Sequence, residues 1–179
     1  MKRKKSFASV AKTVFALAAV VMMSTVFTSC SKDHDEKFTN TVTIGDEESS
    51  IFQVNYYDEP NGNYRLFLDL SANGGKAVEI HLNKEQHMNG TPIDLKKKEE
   101  REYNGRSFWS VAYYDNGKNL ISTSGIPGDS EPVFKEGTLT VSGDLASTIN
   151  IKLENGRVVG KDGKECILNI SYSGPARKY

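Results

Sequence analysis

Glu79, His81, Glu85 and His87 form a dense run of carboxylates and imidazoles that holds two of the chain's three histidines. Side chains of these types can hold a divalent ion such as zinc. Glu79 and His81 are two residues apart, so on a strand they share a face. Glu85 and His87 fall beyond that strand, and no spacing ties a further ligand to them. A solvated strand face followed by a polar loop is the preferred reading, and no metal or other cofactor is expected. Cys166 sits in phase with Leu168, Ile170 and Tyr172. It reads as a small buried apolar side chain, since no basic neighbour is at hand to lower its thiol pKa. The nucleophile elbow Gly-x-Ser-x-Gly, His-Glu-x-x-His, the P-loop and Gly-x-Gly-x-x-Gly are all absent from the sequence. Acids such as Asp58 and Glu59 flank turns and fit turn chemistry. The chain is therefore expected to have no catalytic residues. A hydrolase with no recognisable motif stays open as an alternative.

Aromatic residues are the better lead to a ligand. Phe108 and Trp109 are adjacent, so in a strand one points in and the other out. With Trp109, Val111 and Tyr113 inside, Phe108 and Tyr114 face out. With Phe52, Val54 and Tyr56 inside, Tyr57 faces out. Tyr57, Phe108 and Tyr114 are thus the candidate ligand-binding residues. Rings on a flat sheet can stack on a sugar or anchor a protein partner.

Cys30 belongs to a different chemistry. Residues 1–12 carry Lys2, Arg3, Lys4, Lys5 and Lys12 and no acid, and residues 13–27 carry no charge. A basic start, a short apolar stretch and small residues describe a secretory signal. The apolar part is shorter than the roughly 20 residues a bilayer span needs. Cys30 follows Phe27-Thr28-Ser29, which resembles the lipobox of bacterial lipoproteins, with Phe27 in place of the usual Leu. Ser31-Lys32-Asp33-His34-Asp35-Glu36 is similar to the acidic export signal of Bacteroidota-type lipoproteins. The resemblance implies cleavage before Cys30, a diacylglyceryl thioether on its sulfur and an acyl group on the new N-terminus. It also implies residence at the outer membrane, exposed at the cell surface. Two or more chains, at about 0.8 kcal/mol per buried CH₂, anchor stably where one does not. The expected organisation is a signal peptide over 1–29, the lipidated Cys30 with an acidic flexible tether over 30–38, and one domain over 39–179.

The whole chain has 23 basic and 23 acidic residues. Residues 1–29 take five bases and no acid, so residues 30–179 carry a net charge of −5. A nucleic-acid partner needs a basic face and is not expected. The membrane, through the anchor, and a glycan or protein ligand are the expected partners.

The elements that must position these residues are strands. Period-two alternation marks residues 41–44, 51–58, 64–70 and 78–83, then 107–114, 118–124, 138–142, 147–154 and 165–172. Short strands are expected at 91–95 and 157–159. Residues 96–102 form a charged run without an apolar stripe, and 125–136, with Pro127, Gly128 and Pro132, form a loop. Residues 174–179 are expected to fray. Asn-Gly pairs at Asn61, Asn73, Asn89, Asn104, Asn116 and Asn155 supply the positive φ that tight turns need. No long amphipathic segment offers a crossover helix, so parallel βαβ units are not expected. The expected fold is an all-β antiparallel sandwich of about eight to ten short strands, with a calycin-like flattened barrel as the alternative. A barrel would open a second functional reading, a small-molecule carrier. Val54 to Asp58 and Val111 to Asp115 echo one another before Asn-Gly turns, too briefly to make a repeat.

Cys30→Ser is expected to abolish lipidation, because the leader holds no other thiol. Intact-mass measurement of membrane-extracted protein reads this directly, and an unmodified N-terminus in the wild type would overturn the lipoprotein reading.

Overall fold

Alternating side chains along the strands give each of two sheets an apolar face, and those faces pack together. The computed structural model describes residues 37–100 and 108–179. Cys30, the leader and the acidic stretch lie outside the described residues, as do residues 101–107. Glu36–Tyr179 is one compact unit. The first sheet contains β1 (Thr41–Ile44), β2 (Glu47–Ser50), β6 (Ile93–Asp94), β9 (Glu136–Gly143), β10 (Ile149–Val159) and β11 (Glu165–Gly174). Its order is β2-β1-β11-β10-β9-β6, antiparallel throughout. The second contains β3 (Gln53–Glu59), β4 (Asn63–Asp69), β5 (Lys76–Asn83), β7 (Ser110–Asp115), β8 (Lys118–Ser124) and β12 (Arg177–Lys178). Its order is β12-β3-β4-β5-β7-β8, antiparallel except for the β12–β3 pair. A single helical turn, α1 (Lys84–His87), follows β5. Among the described residues, no helix is long and apolar enough to cross a membrane.

The sheets are separate and open, so the fold is the expected sandwich. The calycin-like barrel is overturned, because among the described residues no strand pairing closes either sheet on itself. The twelve strands among the described residues exceed the expected eight to ten. The surplus comes from two-residue strands and from β2, whose Glu-Glu-Ser-Ser sequence shows no alternation. Gly45, at φ 61°, turns the chain back from β1 so that β2 can pair as an edge. Charge on an edge strand discourages pairing with another chain.

The core is drawn from both sheets. Val42, Leu139, Ile151 and Leu168 meet Leu66, Leu68, Val78 and Ile80, all fully buried. Trp109 lies at one end of this core with its ring centroid 6.4 Å from that of Phe134. It points inward, as do Val111 and Tyr113, in agreement with the alternation. Gly125 packs flat against the indole; a Cβ there would sit 2.5 Å from Nε1. Cys166 packs partly buried against the core, and burial pushes its thiol pKa up.

Three local expectations fail for stated reasons. Asn155-Gly156 is no hairpin: β10 runs on through it as a bulge that inserts one extra residue, so 157–159 is part of β10. Asn155 adopts φ 54°, and Gly156 lies so close to β11 that a Cβ would be 2.0 Å from the Leu168 carbonyl oxygen. Asn61-Gly62 and Asn116-Gly117 do make the turns expected of them, with positive φ at all four residues. Phe52, expected inside, is 58% exposed because β3 begins only at Gln53 and the alternation does not reach back to it. The end of the chain does not fray: Arg177 and Lys178 pair with Asn55 and Tyr56 of β3.

Gly156→Ala is expected to cost about 1–3 kcal/mol, as overpacking does, because the obstructing atom is backbone. Trp109→Ala is expected to cost about 3–5 kcal/mol, the usual range for a lost core ring. Urea unfolding would show both as a lowered midpoint with an unchanged slope.

Candidate functional site

The outward face of the second sheet collects the residues that could meet a ligand. Because Leu66, Leu68, Val78 and Ile80 point inward, Arg65, Phe67 and Asp69 of β4 and Ala77, Glu79 and His81 of β5 point outward. Register then sets three rows across the sheet. Tyr57 stands opposite Arg65, which stands opposite His81 and then Ser110. Asn55, Phe67, Glu79 and Ala112 form the next row, and Gln53, Asp69, Ala77 and Tyr114 the third.

Aromatic rings dominate the β3–β4 side. Tyr57 and Tyr179 stack with centroids 4.5 Å apart and planes inclined by 14°. Phe67 meets both edge-on, at 5.8 Å from Tyr57 and 6.1 Å from Tyr179. The Tyr57–Phe67 contact is the diagonal cross-strand neighbour that long side chains reach. Tyr57 is 46% exposed and Tyr179 60%. Beneath them lies a buried polar cluster. Gln53 Nε2 and Asn55 Nδ2 donate to Asp69 Oδ2 at 3.0 and 2.9 Å, and Asn55 Nδ2 also donates to the Tyr179 hydroxyl at 3.3 Å.

Charged groups border the rings. Arg65 Nη2 pairs with Glu59 at 2.7 Å, and Arg65 Nε lies 3.8 Å from Glu79. His81 Nε2 comes within 3.0 Å of Glu79 Oε1, though out of line for a well-formed hydrogen bond. Glu79 titrates below its ordinary range. The His81 contact is the largest cause, and the charges of His81 and Arg65 and the Tyr114 hydroxyl add to it against the cost of burial. Burial, then the charge of Glu79, pushes the Tyr114 phenol up. The face can thus stack flat apolar surface and offer donors and acceptors beside it.

The structure separates the three rings singled out from sequence. Tyr57 is outward and exposed. Tyr114 shares its face but lies in another row and is half-buried, so it is no free ring. Phe108 precedes β7, is half-buried, and lines a groove of about 440 Å³ with Gln86, Pro92, Ile93 and Glu99. Phe67 and Tyr179 are the rings that sequence reasoning left out. Phe67 was legible, since it alternates with Leu66 and Leu68. Tyr179 was not, because nothing local says that residues 177–179 return to β3.

The carboxylate–imidazole run is also parted. Glu79 and His81 share the outward face of β5, whereas His87 is buried on α1, 3% exposed. His87 Nδ1 accepts from the Asn83 backbone N–H at 2.8 Å, which leaves Nε2 as the donor to Glu99 Oε1 at 2.7 Å. Both ring nitrogens are engaged in closing this end of the sandwich. Among the described residues, no three His, Cys, Asp or Glu side chains converge on a point where an ion could sit. No family model, curated protein or solved structure matches the chain.

A carboxylate whose pKa is lowered by folding stabilises the fold above its unfolded pKa, and that contribution is lost as pH falls through the lowered value. Glu79→Gln is therefore expected to destabilise at neutral pH by about 1–3 kcal/mol, the usual cost of a removed charged partner. The gap from wild type should close as pH falls below about 4.5, the ordinary value for this group. Urea melts of both proteins across pH check the sign: a gap that widened in acid would be the wrong one.

Proposed function

We propose that the chain is a lipoprotein of the outer membrane, exposed at the cell surface, whose β-sandwich is a binding or accessory module without catalysis. The membrane reading rests on the order basic, apolar, small, Cys30, then acidic over residues 1–36. Nine tether residues, 30–38, reach at most about 30 Å when extended, enough to hold the sandwich clear of the lipid surface. The acidic stretch would be repelled by anionic head groups, which favours a domain that stands off the membrane.

The observation that carries the binding reading is the cluster of Tyr57, Phe67 and Tyr179 on an outward sheet face. Rings gathered away from the core mark a site for flat apolar area at low entropic cost, with Tyr57 and Phe67 fixed on β3 and β4 and polar groups adjoining them. A glycan is the ligand this combination suits best. The unit Glu36–Tyr179 offered to a glycan array is expected to bind, and Tyr57→Ala is expected to lose most of that signal. The same substitution should cost about 0.5–1.5 kcal/mol of stability, the worth of an aromatic pair, so a thermal melt separates lost binding from lost folding. Capture of a protein partner without any glycan signal would replace the glycan by a protein ligand. Undiminished binding by Tyr57→Ala would place the site elsewhere.

A further inference from the structure

We infer that Tyr179 occupies the sugar subsite of this face as a built-in stand-in for a pyranose ring, and that a neutral saccharide binds by displacing it. The inference rests on the glycan reading above and assigns that site its residues: Tyr57 and Phe67 as the platform, and Asn55, Gln53 and Asp69 as the polar end.

The geometry of Tyr179 is that of a bound ligand. Its ring lies on Tyr57 at 4.5 Å, nearly parallel, with Phe67 edge-on at its side. A pyranose offers a flat C–H face of similar breadth to the same rings. The Tyr179 hydroxyl accepts from Asn55 Nδ2, which also donates to Asp69 Oδ2. A carboxylate that only accepts, beside amides that donate, matches a sugar hydroxyl, which does both. Asp69 and Asn55 are 8% and 6% exposed, and the Tyr179 hydroxyl sits on the Asn55 amide.

Charge narrows the ligand class. Glu59 and Asp69 stand on the same face as the rings and disfavour an anion. Arg65, opposite Tyr57, and Arg177, beside Asn55, disfavour an organic cation. A neutral polyhydroxylated ring is what both sets leave.

The segment that carries Tyr179 is lightly held. β12 has two residues, both exposed, and pairs with only one strand. The Tyr179 N–H donates to the Tyr56 carbonyl at 3.0 Å, and Lys178 Nζ lies 3.2 Å from Asp58 at the surface. Residues 177–179 contribute no side chain to the apolar core. A site open for only a fraction of the time binds more weakly by that fraction, so the wild type should be a weak binder that removal of the ring strengthens.

The test is isothermal titration of Glu36–Tyr179 with neutral oligosaccharides of glucose, galactose, mannose and xylose. Tyr179→Ala is expected to tighten binding by about an order of magnitude, the fold-change that loss of a competing ring pair gives. Asp69→Asn in the Tyr179→Ala background is expected to abolish the gain. In the wild type, the Tyr179 ring resonances should move toward free-tyrosine positions as saccharide is added, a readout that needs no variant to fold. Equal or weaker binding by a folded Tyr179→Ala, or a Tyr179 ring unmoved by bound saccharide, overturns the stand-in while the glycan module stands. Binding of a protein but of no saccharide overturns both glycan readings and leaves the binding module.

Discussion

Period-two alternation in β4 is the constraint on which the rest of the sandwich depends. Leu66 and Leu68 are fully buried, whereas Arg65, Phe67 and Asp69 look the other way. A slip of one residue would carry both leucines to solvent and a charge into the core. The Asn61-Gly62 turn pins β4 against β3, and pairing with β5 pins it on the other side. Both faces of the second sheet follow from that register. The inner one fills the core, and the outer one brings Tyr57, Phe67, Glu79 and His81 onto one surface.

Glycine serves this architecture where backbones or rings must approach closely. At Gly156 the bulge in β10 meets the Leu168 carbonyl, and at Gly125 the indole of Trp109 lies against the chain. Each contact leaves no room for a Cβ. The bulge lets β10 stay paired with β11 as far as Val159 and with β9 as far as Arg157, keeping Ile151 and Leu153 on one side of it and Val158 on the other in the same core.

Polar side chains close what the apolar core does not. Asn83 caps α1 by accepting from the N–H groups of Glu85 and Gln86, and its amide donates to Asn61 and Asn63. His87 and Glu99 complete that end. On the outer face of the second sheet, Asp69 is buried with two amide donors in place of a cation. Buried polar groups are retained when they are satisfied. In the Asp69 cluster they also leave hydroxyl-matching chemistry beneath a ring that only a two-residue strand holds in place.

By itself, the sequence determined the strand class, most strand positions, and the inward direction of Trp109, Val111 and Tyr113. These are local matters: side chains alternate along a strand, and Asn-Gly tolerates positive φ whatever lies far away. It also placed Tyr57 outward, and the alternation of Phe67 with Leu66 and Leu68 carried the same information for that ring. Tertiary structure alone decided that the sheets stay open, that Asn155-Gly156 bulges where another Asn-Gly pair turns, and that Phe52 escapes the core. It alone brought residues 177–179 back across more than a hundred positions to lie beside β3, so that Tyr179 stacks on Tyr57 over Asn55 and Asp69. Pairing partners and ring contacts between distant segments depend on which edge is free and which surface is left uncovered. No pattern within a few residues of Tyr179 carries that information.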